Sequence, residues 1–129
     1  MQREIDSPAE WMRYAKSDLA LSKAPVSGDV LLENLCFHAQ QAVEKSIKAV
    51  LIAEGIPFPN THNIDTLIGL LPGDVPVPPD DAKAAELTEY AVMLRYPGAD
   101  EPVTEEEHHE AVRLAESIVK WAEGVIGPR

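Results

Sequence analysis

Four side chains able to bind a phosphorylated ligand recur at helical spacing inside C-F-H-A-Q-Q-A-V-E-K-S-I-K-A-V-L, residues 36–51. His38, Gln41, Lys45 and Lys48 stand at i, i+3, i+7 and i+10, which on a helix places them on one face. The lysines would bring positive charge to a phosphate, while Gln41 and His38 can donate or accept hydrogen bonds at a phosphate or a base edge. The same spacing also describes a solvated helix face, on which Glu44 pairs locally with Lys48 at i, i+4. The pattern leaves both readings open.

Arg95 is a second candidate. It sits at the expected end of a helix, followed by Tyr96 and the turn-forming Pro97-Gly98. A cation there gains ~0.3–1 kcal/mol from the helix macrodipole, yet Arg and Tyr before a rigid turn also form a stacking and phosphate-clamping pair. His62, in T-H-N-I, is a third candidate, in the first turn of a helix capped by Thr61. His108 and His109 adjoin Glu105, Glu106, Glu107 and Glu110. Metal-binding helices use histidines four apart, whereas neighbours point in different directions, so no metal site is expected. Cys36, beside Phe37 on an apolar face, reads as a core thiol. No phosphate-binding glycine loop, G-x-S-x-G elbow or EF-hand loop occurs.

The elements that must position these groups all read as helices. Ser7 caps a first helix with Pro8 at its first position and Glu10 three residues on, and it should run to about Ala24. Its apolar spacing passes through Trp11, Tyr14 or Ala15, Leu19 beside Asp18, and Leu21 or Ser22. Asp29 is expected to cap the second and longest helix, which continues to Glu54 and stops at Gly55. A short third helix should run from Thr61 to about Leu71. The segment L-P-G-D-V-P-V-P-P-D, with four prolines, is a stiff extended connection. Asp80 or Asp81 opens a fourth helix that ends near R-Y-P-G. Thr104 and Glu107 make a capping box for the last helix, with Ala111, Ala115, Ile118, Ala122 and Val125 as its buried stripe. Strand and repeat signals are absent. Short links between amphipathic helices favour an all-α, up-and-down antiparallel bundle of about five helices.

The 129 residues fit one domain with a core of its own, and 45% hydrophobic with 26% charged residues reads as soluble and globular. The single cysteine allows no internal disulfide and suits a reducing compartment. With a polar start and no long uncharged span, the sequence reads as cytoplasmic, without a membrane partner. The net charge of −11 opposes broad, non-specific binding to a phosphate backbone and leaves room only for locally clustered cations.

The segment F-H-A-Q-Q-A-V-E-K-S-I-K-A-V-L, then G-I, T-H-N-I and L-R-Y-P in that order, resembles the HEPN domain family, a nucleotide-binding helical domain. W-M-R-Y-A-K-S-D-L is similar to the opening helix of that family, so the likeness spans nearly all of residues 1–129. The resemblance implies a five-helix bundle that pairs into homodimers with a cleft between protomers. It also implies a small nucleotidyltransferase partner in toxin–antitoxin, defence or drug-resistance settings. Its motifs carry ligand-binding roles onto His38, Gln41, Lys45, His62, Arg95 and Tyr96; Lys48 joins them from its place on the same face.

Ribonuclease members of the family resemble one another in an Arg and a catalytic His with four to six residues between them. Here Arg95 is followed at those positions by Asp100, Glu101 and Pro102, and Arg113 by Ile118, Val119 and Lys120. The expected function is therefore binding of a nucleotide or RNA in a polar cleft, with no cofactor. One alternative is a metal-independent endoribonuclease using His38 and Arg95, as general acid–base and phosphate-stabilising group. The other is a non-catalytic dimerisation or interaction module.

Overall fold

The structure, a computed structural model, describes residues 7–25, 27–93 and 102–127. It is all-α, with helices α1 (Pro8–Ser22), α2 (Leu32–Ala53), α3 (Ile64–Gly69), α4 (Asp81–Ala85), α5 (Thr88–Met93) and α6 (Glu105–Ile126). α2 lies at the centre, packed along α1 on one side and α6 on another, while α3 and α5 close over the remainder. Lys16 pairs with Glu123 and Lys23 with Glu116, so α1 and α6 run antiparallel. α1 also opposes α2, since Asp18 meets His38 and Lys45 while Trp11, two turns earlier, meets Lys48. Among the described residues, three short helices lie between the end of α2 and the start of α6.

Several helix ends follow the local code. Ser7 Oγ accepts the Glu10 N–H with Pro8 at the first position, and Thr104 and Glu107 complete a reciprocal capping box. Gly55, at φ 73°, ends α2: the Ile56 N–H donates to Leu51 O at 2.9 Å and the Gly55 N–H to Ile52 O at 3.0 Å. This is a Schellman closure, whose left-handed position glycine fills without strain.

Other ends depart from expectation. α2 begins at Leu32 rather than after Asp29, because Ser27 O accepts the Val30 N–H in a turn and Leu31 stays extended. α3 begins after Asn63, whose side chain accepts the Thr66 N–H; Thr61 Oγ1 takes the Asn63 N–H instead, so Thr61 closes a turn ahead of the helix. The single helix expected from Asp80 or Asp81 is divided into α4 and α5, and its expected end near R-Y-P-G lies outside the described residues. Thr88, at the start of α5, accepts the Ile64 N–H at 3.0 Å and so ties α5 to the free end of α3.

The core is built from small and branched residues that let the long helices approach. Ala15 of α1, Ala39, Ala42, Val43, Ile47 and Val50 of α2, and Ala115, Ile118 and Ala122 of α6 are fully buried. The α6 stripe also takes in Leu114 and ends on buried Ile126, with Val125 only half-buried. On α1 the buried positions are Met12, Ala15, Asp18 and Ser22, leaving Tyr14 and Leu21 exposed. A carboxylate inside that stripe needs a buried partner, and this requirement leads to the site. No helix among the described residues is long and apolar enough to cross a membrane.

Candidate functional site

The face of α2 that carries the polar series is bordered by α1 on one side and by the segment around Phe58 and His62 on the other. α1 supplies Asp18, whose buried carboxylate bridges two residues on one α2 face. Asp18 Oδ1 lies 3.0 Å from His38 Nδ1, and Oδ2 accepts from Lys45 Nζ at 2.6 Å. The aspartate side chain is 10% exposed, whereas the imidazole and the lysine keep 33% and 23%. Charge sits underneath and the groups it holds reach outward. Lys45 Nζ also stands 5.9 Å from the centre of the exposed Tyr14 ring, with the Arg13 guanidinium 5.1 Å from the same ring.

Less than two turns along, Glu44 repeats the plan. Its side chain is 4% exposed and gathers Lys48 Nζ at 2.8 Å, His62 Nδ1 at 3.0 Å and Gln40 Nε2 at 2.9 Å. Gln41 Nε2 donates to Gln40 Oε1 at 2.8 Å and reaches Glu44 Oε1 at 3.4 Å, which adds it to the Glu44 cluster. Burial alone would raise the Glu44 carboxyl; the hydrogen bonds from Lys48 and His62 outweigh that and hold it below its ordinary value. Lys48 is sealed as well, 5.7 Å from the Trp11 ring centre and 5.5 Å from that of Phe58. The two rings meet edge to face at 6.3 Å.

In both clusters a carboxylate faces Nδ1, which therefore carries the proton of the neutral imidazole. Nε2, across the ring, has no protein partner among the described residues. It is a base in the neutral ring and a donor in the charged one, suited to acid–base work or to an anionic oxygen.

The structure thus brings His38, Gln41, Lys45, Lys48 and His62 into one continuous polar strip. It divides their partners between two acids, and it buries Lys48 instead of presenting it. Arg95 and Tyr96 lie outside the described residues. Asp18, Gln40 and Glu44 complete the arrangement without having been singled out as site residues. The signal for Asp18 was present: an acid at helical spacing between Ala15 and Ser22 on the apolar stripe. His108 is elsewhere and has a structural task. It is buried near the start of α6, and its Nε2 bonds the Ser22 carbonyl at the end of α1 at 2.7 Å.

A family model described as HEPN domain matches residues 8–125. A crystal structure of TT1696 from Thermus thermophilus is similar to this chain with 32% identity and a TM-score of 0.79, over 92% of this chain and 97% of that one. A comparison with curated proteins gave no match. The family match runs from the first residue of α1 to within one residue of the end of α6, and so takes in every helix and both carboxylate clusters. With that coverage, the chain belongs to the HEPN domain family.

Proposed function

We propose that this HEPN protein binds a nucleotide or an RNA segment along the strip formed by His38, Gln41, Lys45 and His62, with Lys48 enclosed behind it. In this reading Arg95 and Tyr96, which lie outside the described residues, also contact the ligand. The protein acts as a homodimer beside a small nucleotidyltransferase in a toxin–antitoxin or defence setting. The observation that carries the binding reading is the repeated unit of a buried carboxylate holding a lysine and an outward imidazole. Proteins do not bury two acids between packed helices without cost, and here both acids hold an imidazole that reaches the surface.

The test is a titration of the purified protein with labelled ATP, GTP and short RNAs, repeated with His38→Ala and Arg95→Ala. Saturable binding weakened by both substitutions is the expected result. Absence of saturable binding to all three ligand types removes the reading. Co-expression with a nucleotidyltransferase encoded beside it, followed by size-exclusion chromatography, tests the partner separately.

A second reading, metal-independent cleavage of RNA, is favoured by the Asp18–His38 contact, which fixes the tautomer and orientation a general base needs. Incubation with RNA in EDTA decides it. Cleavage lost on His38→Ala supports the activity, and intact RNA with the unmodified protein eliminates it.

A further inference from the structure

Each lysine of the strip is cancelled by an acid. Lys45 is matched by Asp18 and Lys48 by Glu44, one cation to one carboxylate in each case. Arg13, the remaining cation beside Tyr14, is tied to Glu10 through two hydrogen bonds. With neutral imidazoles, these described residues hold no uncompensated positive charge, on a chain whose net charge is already −11. A phosphate approaching such a surface finds donors but no net attraction.

The two histidines can change that count. Histidine is the side chain whose charge changes between about pH 5 and 8. In each cluster Nδ1 already faces a carboxylate, at 3.0 Å in both. An incoming proton therefore goes to Nε2, the nitrogen turned away from the acid. Protonation adds one positive charge and one outward N–H donor per ring without breaking any contact. The groups facing His38 are Asp18 from α1 and Lys45 from α2, with the Phe37 ring at 5.5 Å between centres. Those facing His62 are Glu44 and, through it, Lys48, both from α2, while Gln40 Nε2 reaches the His62 carbonyl at 3.5 Å.

We propose that phosphate capture at this strip is proton-coupled: His38 and His62 are the ligand-facing cations, and Lys45 and Lys48 are positioning residues that hold the two carboxylates. The ligand class is a phosphoryl group, either of a nucleotide or of an RNA backbone. This rests on the binding reading above and assigns the charge that it needs. Binding then takes up protons, and affinity rises as pH falls. By linkage, one coupled proton corresponds to at most about tenfold in affinity per pH unit.

The experiment is calorimetric titration of the unmodified chain at about pH 6 and pH 8, each in two buffers of different ionisation heat. The probes are ATP, corrected for its own phosphate ionisation, and a short oligouridylate without terminal phosphates. The charge of the oligouridylate is constant over that interval, so any proton taken up belongs to the protein. The expected result is binding about tenfold or more tighter at the lower pH, with net proton uptake. His38→Gln and His62→Gln should each reduce the uptake, and thermal melts check that the variants fold. Saturable binding of equal strength at both pH values, with no proton uptake, overturns this inference and leaves the binding function standing. No binding of either probe at either pH overturns both.

Discussion

Lys48 reaches back one helical turn to Glu44, at 2.8 Å, with side-chain exposures of 6% and 4%, so the pair is enclosed. The Trp11 and Phe58 rings close the other sides of the ammonium. Such a pair is weak evidence of net stabilisation, but breaking one half strands a buried charge. Lys48→Met should therefore destabilise the fold by ~3–5 kcal/mol. Glu44→Gln with Lys48→Met should recover a large part of that loss, since neither charge then remains. Urea unfolding of the two single variants and the double variant measures the coupling directly; a Lys48→Met variant as stable as the parent would mean the pair is hydrated.

The same acid predicts a pH dependence whose sign is fixed. Glu44 is held below its ordinary value of 4.5 by Lys48 and His62, against the opposing effect of burial. A lowered carboxyl contributes stability above its unfolded value and loses it as pH falls through the folded one. Stability should therefore drop below about pH 4.5, and Glu44→Gln should flatten that part of the curve while lowering stability at neutral pH. Denaturation midpoints from about pH 6 down to about pH 3 make the comparison; parallel curves for the two proteins would assign the acid loss to other carboxylates.

Cys36 gives a readout of opening. Burial pushes its thiol up to about 12, against the opposing hydrogen bond with Tyr90. Almost no thiolate exists near neutrality, and the side chain has no access to solvent. Reaction with a thiol reagent at about pH 8 should be roughly a thousandfold slower in the folded protein than in denaturant, because it waits on opening of the bundle. Immediate stoichiometric labelling of the native protein would show that the α2–α5 contact opens readily.

The sequence marked some helix ends and missed others for a physical reason. The Ser7 cap, the Thr104–Glu107 box and the Gly55 stop depend on residues within one turn of each other, so local order states them. The start of α2 depends on competition, and the anchoring of α5 on a distant partner. The turn closed by Ser27 takes precedence over capping by Asp29, and Thr88 is drawn to the Ile64 N–H, 24 residues away. Asp18 shows the same limit in the site. A carboxylate on an apolar stripe announces that a partner exists, but naming His38 and Lys45 requires the register of α1 against α2.

What the chain order determined by itself is the all-α class, the polar series on α2, and the motif order that marks the family, because helical periodicity and capping act within a few residues. Tertiary packing decided the electrical character of that series. It set Asp18 beneath Lys45, enclosed the Glu44–Lys48 pair that the sequence spacing had already offered, and left the imidazoles of His38 and His62 partly exposed. The Glu44–Lys48 pair is local and its i, i+4 spacing states it, whereas the contacts of Asp18 with Lys45 and His38, and of Glu44 with His62, cross between elements over a few ångströms, and no spacing along one helix contains them.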